Sequence, residues 1–209
     1  MKTLLHIDSS LRPVSARGSV SRQLTAEFAA AWQARHPDGR VIRRDFATQP
    51  LPHLTAAYIH ASYKPADQRT REDREASQLA DETVAELFAA DHVLLGAPMY
   101  NFTVPSTIKT WVDHIVQDGT TFRFGPEGPE GLVRGKKVCV INSRGGDYGP
   151  GSPFAALDMA GPWLRNALGF LGMTDVTLIT VDGVDMNPDL RERRMADASR
   201  QIASTLEAW

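Results

Sequence analysis

The stretch VLLGAPMYNF, at residues 93–102, joins a short apolar run to a polar and aromatic segment that a proline interrupts. The apolar part, residues 93–96, has the length and composition of a strand buried on both faces of a sheet. In an open parallel α/β sheet, the loops that leave the carboxyl ends of the strands form the ligand crevice. We therefore predict a binding site for a planar ligand in the loop after this strand. The candidate side chains are Met99, Tyr100, Asn101 and Phe102.

Short apolar strands and longer amphipathic helices alternate along the rest of the chain. Besides the strand at residues 93–96, strands are predicted at residues 3–7, 40–46, 137–142 and 176–181. Helices are predicted at about residues 20–35 and 71–90, from residue 105 onward, and at about residues 154–171 and 188–206. This alternation predicts an α/β fold, a flavodoxin-like doubly wound five-stranded parallel sheet with helices on both faces. We expect residues 1–209 to form a single domain of this kind.

Three segments of this pattern carry more specific expectations. The strand at residues 40–46 places two apolar residues between charged ones, which is typical of a sheet edge. Residues 48–70 contain three prolines and are predicted to be irregular, and loops of this length in compact domains are often lids or binding segments. Residues 125–131 are rich in glycine and proline and are predicted to be turns.

A second candidate site follows the first strand, where residues 8–21 run directly into a helix. Serine hydroxyls and unpaired backbone N–H groups at a helix N-terminus make an anion site, to which the helix dipole contributes. The segment lacks Gly-x-Gly-x-x-Gly, which argues against a dinucleotide-binding Rossmann motif, and it lacks Gly-Lys-Ser/Thr, which excludes a P-loop nucleoside triphosphatase. It therefore predicts a phosphate held by hydroxyls and amides in a ligand that undergoes no phosphoryl transfer. The alternative is that Ser19 or Ser21 only caps the helix.

A third candidate site is Ser143-Arg144-Gly145-Gly146, which follows the fourth predicted strand. Two consecutive glycines allow a backbone to approach a ligand closely. A backbone N–H group or the nearby arginine would favour negative charge on a reduced heterocyclic ring. A flexible turn before a helix is the alternative interpretation. Because all three loops leave one end of one sheet, together they indicate a ligand site more strongly than each does alone.

Charge, cysteine content and hydropathy exclude several classes of function. The formal net charge is −2, so the chain has no overall positive field to attract nucleic acid or an anionic membrane. The one cysteine, Cys139, lies between two valines in a predicted strand and is expected to be a buried structural thiol. His6 is expected to be a satisfied core residue, and because the other histidines lack metal-ligand spacing we expect no metal site. The start does not resemble a signal peptide and no apolar run has bilayer length, so we expect a soluble cytoplasmic protein.

Several of these motifs resemble those of the FMN-dependent NADH:quinone oxidoreductase and azoreductase family, which has the flavodoxin-like fold. The resemblance covers nearly the whole chain in order, at residues 19–21, 98–102, 122–124, 128–132 and 143–146. It implies that residues 1–209 bind FMN, with phosphate contacts from Ser10, Ser19, Val20 and Ser21. It implies isoalloxazine contacts from Met99, Tyr100, Asn101, Phe102, Ser143, Arg144, Gly145 and Gly146. It also implies a homodimer whose two active sites lie at the subunit interface.

The activity that the resemblance implies is ping-pong transfer of two electrons from NADH or NADPH, through bound FMN, to quinones and aromatic azo compounds. The flavin N5 would carry the hydride, so no side chain is required as an acid, a base or a nucleophile. Asn101 is our hypothesis for a residue that orients the ring or the substrate. The alternatives are a flavodoxin-like electron carrier, which the near-neutral charge argues against, and a non-catalytic nucleotide-binding module.

Two regions of the sequence depart from the family pattern or lie in a variable part of it. The loop between Ser10 and Ser19 is a few residues longer than the family pattern, and it adds Arg12 and Arg17, which either strengthen phosphate binding or are solvated. Tyr148 follows the glycine pair in a variable segment and is a candidate substrate contact that no motif assigns. In the long segment 48–70, the candidates for lining a partner subunit's site are Tyr58, His60 and Tyr63.

Overall fold

A five-stranded parallel sheet is the centre of the computed structural model, which describes residues 1–14 and 18–209. The strands in these residues are β1 (Thr3–Asp8), β2 (Arg40–Asp45), β3 (His92–Gly96), β4 (Phe122–Gly125), β5 (Gly128–Gly131), β6 (Lys137–Ser143) and β7 (Asp175–Val181). The sheet has the order β2-β1-β3-β6-β7, and every neighbouring pair is parallel. This is the flavodoxin-like order, so the predicted fold class is confirmed.

The α-helices cover both faces of this sheet. They are α1 (Val20–Arg35), α2 (Ala56–Ser62), α3 (Arg71–Ala89), α4 (Ser106–Ile115), α5 (Ala160–Phe170) and α6 (Pro188–Glu207). One core cluster lies between the sheet and α1 and α6, and a second lies between the sheet and α3, α4 and α5. The predicted doubly wound arrangement is therefore confirmed. No helix in the described part of the chain is long and apolar enough to cross a membrane.

Strand β3 lies in the middle of the sheet because its apolar side chains pack on both faces. All five of its residues are buried. Leu94 belongs to the core cluster under α1 and α6, whereas Leu95 belongs to the cluster under α3, α4 and α5. Burial of one such leucine contributes roughly 1.5–3 kcal/mol relative to exposure. Strand β2, with its charged residues, lies at an edge of the sheet, which confirms the expectation for it.

The prediction that residues 48–70 are irregular is wrong, because the segment contains α2 and a short 3-10 turn at Ala66–Gln68. The Thr55 side chain caps α2 by accepting a hydrogen bond from the Tyr58 N–H at 3.1 Å. Tyr58 and Ala61 are the buried residues of this helix. With seven residues, α2 is too short to have a clear apolar periodicity, and the prolines around it favoured a loop.

Residues 125–131 are not only turns, because β4 and β5 pair there as an antiparallel hairpin. The hairpin begins at the buried Phe122, whose ring centroid lies 4.7 Å from that of Phe170 at the end of α5. Gly131 lies so close to the backbone of Gly172 that no Cβ would fit. Glycine and proline are depleted in strands, so the composition predicted turns, whereas packing against α5 supports a ladder.

The helix predicted at about residues 154–171 begins later, at Ala160. Before it, Ala155–Leu157 forms a separate 3-10 turn. Asp158 Oδ1 accepts hydrogen bonds from the N–H groups of Ala160 and Gly161, both at 3.1 Å, and these bonds fix the start of α5. The predicted start at residue 154 is therefore wrong, because the Asp158 carboxylate binds the first N–H groups of the helix at Ala160 and Gly161.

Candidate functional site

The predicted ligand loops after β1, β3 and β6 lie side by side, because these strands are neighbours in the sheet. Together with the loop after β7 they enclose a cavity of about 100 Å³. Among the predicted site residues, those that line it are Ser10, Ser19, Val20, Met99, Tyr100, Ser143 and Gly145. The predicted residues that lie outside its lining are Ser21, Asn101, Phe102, Arg144 and Gly146. The remaining lining residues are Arg12, Gly18, Pro98, Val184 and Asp185.

The start of α1 forms one wall of this cavity. Ser19 Oγ accepts a hydrogen bond from the Arg22 N–H at 3.2 Å, so Ser19 is the helix cap that one interpretation of the sequence predicted. Ser21 Oγ lies 3.1 Å from Ser19 Oγ, and Ser10, Ser19 and Ser21 are all buried. A cap and an anion site are compatible, because the first turn of a helix offers several N–H groups and the positive end of its dipole.

The loop after β3 forms a tight turn whose two central residues have left-handed backbone conformations. Tyr100 and Thr103 exchange backbone hydrogen bonds at 2.9 and 3.2 Å. Between them, Asn101 has a φ of 48° and Phe102 a φ of 73°. Asparagine adopts this region readily, but a bulky aromatic residue is strained there by an amount on the order of 1–3 kcal/mol. Strain of this kind is typical of a functional site, and Phe102 at the turn is 46% exposed.

Backbone and hydroxyl hydrogen bonds hold the three loops together around the cavity. The Met99 N–H donates to the Ser143 carbonyl oxygen at 2.8 Å, which joins the loop after β3 to the end of β6. The Leu11 N–H donates to Tyr100 Oη at 3.0 Å, which joins the loop after β1 to the loop after β3. The relative positions of the three loops are therefore set by bonds outside the strands as well as by the sheet.

The two glycines after β6 lie where side chains would meet their neighbours. A Cβ on Gly145 would come 3.0 Å from Asp185 Oδ2, and one on Gly146 would come 3.2 Å from the Tyr148 ring. The Gly145 and Gly146 carbonyl oxygens accept hydrogen bonds from the Asp185 and Gly183 N–H groups at 3.2 and 2.9 Å. The glycine pair therefore lets the loops after β6 and β7 approach closely at the cavity.

Arg144 is 4% exposed, and its guanidinium is held by two carboxylates. Nη1 donates to Asp158 Oδ2 at 2.6 Å, Nη2 donates to Asp182 Oδ2 at 3.0 Å, and Nε lies 2.8 Å from Asp182 Oδ1. The Tyr148 N–H also donates to Asp182 Oδ1, at 3.1 Å. The side chain of Arg144 therefore connects the ends of β6 and β7 with the start of α5, and its charge is balanced within the protein.

Arg22, in the first turn of α1, supports Ser10. Its Nε and Nη2 donate to the Ser10 carbonyl oxygen at 2.9 and 2.7 Å. Nη1 and Nη2 also donate to Asp45 at 2.9 and 2.5 Å, and Nη1 lies 3.9 Å from Asp8 Oδ2. The hydrogen bonds to Asp45 raise the pKa of Arg22, and they lower the pKa of Asp45. This guanidinium therefore fixes the loop after β1 through protein partners.

Sequence reasoning missed three residues of this region, namely Arg22, Val184 and Asp185. Val184 and Asp185 follow β7, and the rule that ligands bind at the carboxyl ends of strands applied to this strand as well. The signal was Asp182-Gly183, a turn-forming pair directly after a predicted strand. The sequence around Arg22 gave no comparable signal, because its partners Asp8 and Asp45 lie at the ends of two strands, β1 and β2.

Two residues set aside in the sequence analysis lie in the core. Cys139 is buried, as expected, and desolvation raises the pKa of its thiol to about 12, which makes it unreactive. His6 is buried in β1, with Nε2 at 3.2 Å from Asp8 Oδ2. Among the described residues neither of its ring nitrogens has a partner in hydrogen-bond geometry, so the expectation of a satisfied histidine is wrong.

Two of the candidates in the segment 48–70, Tyr58 and Tyr63, line a separate groove of about 550 Å³ away from this cavity. Tyr58 is buried and its ring stacks on His114 with centroids 5.9 Å apart, and desolvation raises its pKa. Tyr63 is 86% exposed at the edge of the same groove, and His60 is also exposed. Their predicted role in a partner subunit's site stays a prediction.

Comparison with known proteins places the chain in a family. Residues 2–206 match a protein-family model described as having a flavodoxin-like fold. The chain is 43% identical over 203 residues to an FMN-dependent NADH:quinone oxidoreductase of Azotobacter vinelandii, covering 97% of this chain and 98% of that protein. It is 44% identical over 207 residues to FMN-dependent NADH:quinone oxidoreductase 3 of Pseudomonas aeruginosa, covering 99% and 94%.

Solved structures agree with the sequence relatives. The azoreductase from Bacillus anthracis str. Sterne superposes with a TM-score of 0.90 and 29% identity over 100% of both chains. An FMN-dependent NADH-azoreductase from Bacillus anthracis str. Ames Ancestor, solved in complex with FMN, superposes with a TM-score of 0.85. That second protein is 20% identical over 98% of this chain and 99% of its own, so it supports the fold alone.

Proposed function

From the premise that the chain belongs to the family of FMN-dependent NADH:quinone oxidoreductases, which have a flavodoxin-like fold, we propose its activity. The protein binds FMN and transfers two electrons from NADH or NADPH to quinones, and it reductively cleaves aromatic azo compounds. The observation that carries the proposal is the cavity where the loops after β1, β3 and β6 meet, because each of these loops contains one of the family's motifs.

The residues around the cavity suit FMN in chemistry and in space. Buried hydroxyls of Ser10 and Ser19 and the N-terminus of α1 are the donors that a phosphate needs. Gly145 also lines the cavity, and without a side chain its backbone permits close approach of a heterocycle. We propose that the FMN phosphate contacts Ser10, Ser19, Val20 and Ser21. We propose that the isoalloxazine contacts Met99, Tyr100, Asn101, Phe102, Ser143, Arg144, Gly145 and Gly146.

The cavity has room for only part of such a cofactor. Ligand pockets are usually about 300–1,000 Å³, several times the volume found between the loops. The rest of the cofactor would therefore lie towards the exposed turn that carries Asn101 and Phe102. Bound FMN supplies the hydride chemistry. The chain's own residues bind and orient the cofactor and exclude water from it.

We propose that the protein forms a homodimer with the two active sites at the subunit interface. Large apolar side chains are exposed next to the turn that carries Phe102, where the Met159 N–H donates to the Phe102 carbonyl oxygen at 2.9 Å. The exposed members of this region are Phe102, Phe154, Leu157 and Met159. Neighbouring apolar side chains left in water are typical of an interaction surface. In such a dimer, Tyr58, His60 and Tyr63 would line the partner's site.

Within this site, Asn101 is our candidate for orienting the ring or the substrate. Its side chain lies in the left-handed turn after β3, next to the cavity but outside its lining. Replacement of Asn101 by alanine should lower the turnover number several-fold, because the oriented amide is lost. Unchanged turnover together with unchanged FMN affinity in Asn101→Ala would remove this role.

Steady-state kinetics test the proposed activity. With NADH varied at several fixed benzoquinone concentrations, double-reciprocal plots should give parallel lines, and methyl red should be decolourised with NADH as donor. Intersecting lines would contradict alternation of the two substrates at one site. A protein that binds FMN but oxidises neither NADH nor NADPH would instead be an electron carrier. One that binds no FMN would favour a non-catalytic module.

We also propose that residues 1–209 form one FMN-binding domain that acts in the cytoplasm. The family match over residues 2–206 supports a single domain. The absence of a membrane-spanning helix from the described part of the chain is compatible with the proposed compartment.

A further inference from the structure

An ion pair crosses the cavity between the loops after β1 and β7. Arg12 Nη1 donates to Asp185 Oδ1 at 3.2 Å and to Asp185 Oδ2 at 3.1 Å. The two residues are 173 positions apart in the chain, and both line the cavity. Among the described lining residues, Arg12 and Asp185 are the charged ones, so their charges cancel beside the loop after β1, which carries the proposed phosphate contacts.

Backbone hydrogen bonds fix both members of the pair at the cavity. The Arg12 N–H donates to Ser10 Oγ at 3.3 Å, and Ser10 is one of the proposed phosphate contacts. The Asp185 N–H donates to the Gly145 carbonyl oxygen at 3.2 Å, and its Oδ2 lies 3.0 Å from where a Gly145 Cβ would be. These backbone hydrogen bonds therefore hold the Arg12 guanidinium and the Asp185 carboxylate facing each other at the cavity.

Two other described arginines, Arg22 and Arg191, contact the loop after β1, and both are held by acceptors of the protein. Arg191 Nη2 donates to the Gly18 carbonyl oxygen at 3.0 Å. Arg17 lies outside the described residues. Arg22 uses Nε, Nη1 and Nη2 on Ser10 and Asp45 and is largely buried. Arg12, by contrast, makes its side-chain bonds through Nη1 to Asp185, and about half of each of these two side chains is exposed. An exposed pair of this kind contributes only about 0–1 kcal/mol, so it separates at little cost.

We propose that Arg12 is a ligand of the cofactor phosphate and that Asp185 is the internal carboxylate that phosphate displaces from it. The proposal rests on the proposed FMN function. A phosphate monoester carries a charge of about −1.5 to −2 at neutral pH, and it cannot share the cavity with an unpaired Asp185 without repulsion. Guanidinium pairs with phosphate through two parallel hydrogen bonds that two of its nitrogens donate. Asp185, in contrast, accepts both of its hydrogen bonds from Nη1 of Arg12. Arg12 exchanges one anion for the other.

The proposal predicts opposite effects for the two members of the pair. Arg12→Gln removes a charge-assisted contact to phosphate and should weaken FMN binding roughly tenfold. Asp185→Asn removes the competing anion and should strengthen FMN binding several-fold and accelerate association. Neither variant should change the affinity for riboflavin, which has the same ring and no phosphate.

Titration of the full-length apoprotein with FMN and with riboflavin, followed by quenching of flavin fluorescence, measures these effects. The matched controls are Arg71→Gln and Glu75→Gln, which break an exposed arginine–carboxylate pair on α3 and should bind FMN like the wild type. Arg12→Lys keeps the charge without the planar fork and should recover part of the loss.

Each result has a definite meaning. A loss in Arg12→Gln and a gain in Asp185→Asn, both confined to FMN, support the exchange. Weaker FMN binding in both variants would mean that the pair builds the cavity, and unchanged binding in both would mean that the pair is only solvated, so either result overturns the proposal. If the wild type binds neither FMN nor riboflavin, it is the proposed function that fails.

Discussion

The parallel strands of the central sheet all begin at one end, here called the amino edge, and all finish at the other, the carboxyl edge. These two ends are built in opposite ways. At the amino edge, Trp32 Nε1 donates to His92 Nδ1 at 2.7 Å. The ring centroids of His92 and Trp209 are 4.6 Å apart. Gly39 packs so close to the Trp32 ring that a side chain would have no room. Trp32 and His92 are buried, so this edge is closed by tightly packed rings, two of which are joined by a hydrogen bond.

The carboxyl edge contains open space, backbone strain and buried charge. Its cavity lies between four loops, two adjacent residues have positive φ, and Arg144 is buried between two carboxylates. Each of these features costs stability and persists only where the surrounding structure enforces it. The two ends of one sheet therefore have separate roles: the amino edge stabilises the fold, and the carboxyl edge holds the site.

The largest effect should come from Trp32→Ala at the amino edge. Removing this buried indole leaves a cavity and an unpaired His92, so the free energy of unfolding should fall by about 3–5 kcal/mol. FMN affinity of the folded protein should not change. Urea unfolding measures the first quantity and flavin fluorescence titration the second. Trp32→Phe is the milder variant if the alanine protein does not fold. A tenfold loss of FMN affinity in either variant would contradict the separation of stability and cofactor binding between the two edges.

Arg144→Met should reduce both stability and cofactor binding. Without the guanidinium, Asp158 and Asp182 are left as partly buried carboxylates without their main partner, at a cost of about 3 kcal/mol. The loop with Gly145 and Gly146 also loses its support, so FMN should bind at least tenfold more weakly. Thermal unfolding and FMN titration check the two effects. Arg144→Lys should recover part of both, and normal FMN affinity in Arg144→Met would show that the charge network does not position the loop.

Acid should weaken the amino edge before the site. Desolvation lowers the pKa of His92 from 6.5 to about 4, so the folded protein holds this residue neutral while the unfolded chain protonates it. The contribution of neutral His92 to the free energy of unfolding is therefore present above pH 6.5 and is lost as the pH falls towards 4. The loss amounts to up to about 3 kcal/mol. Urea unfolding at pH 7, 6, 5 and 4 measures this loss. His92→Gln keeps an acceptor for Trp32 without titrating there, and an equal loss in that variant would assign the effect to other groups.

The smallest effect should come from relieving strain in the turn after β3. Phe102→Gly removes the penalty of a bulky residue at a φ of 73°, so the free energy of unfolding should rise by about 1 kcal/mol. Turnover should fall, because the exposed ring proposed to cover the flavin is lost. Urea unfolding and NADH oxidation rates provide the comparison. A variant that is less stable than the wild type would mean that packing of the Phe102 ring outweighs the strain.

The strands that form the site were predictable from local sequence, whereas the contacts that hold the site together were not. The apolar run of β3 and the motif after it, residues 98–102, placed a loop at the carboxyl edge. The partners of Arg144, in contrast, lie 14 and 38 residues away, and the sequence contains no signal for which carboxylate it meets. The contact between Arg144 and the flavin was therefore predicted from a motif alone, whereas the direction of the Arg144 side chain depends on tertiary packing.

The missed elements have a common physical cause. Helix α2 is short and capped by Thr55, and the β4–β5 hairpin consists largely of glycine, proline and charged residues. Both are stabilised by packing against another element, α2 against the following helix α3 and the hairpin against α5. Periodicity and propensity report only local preferences, so elements that depend on packing escape them.

FMN bound at the carboxyl edge should accept two electrons from a nicotinamide and pass them on to a quinone. Anaerobic stopped-flow absorbance of the FMN-loaded protein, mixed first with NADH and then with benzoquinone, follows both half-reactions. We expect NADH to bleach the flavin absorbance band and the quinone to restore it fully. A flavin that stays oxidised with both NADH and NADPH would contradict the reductase function.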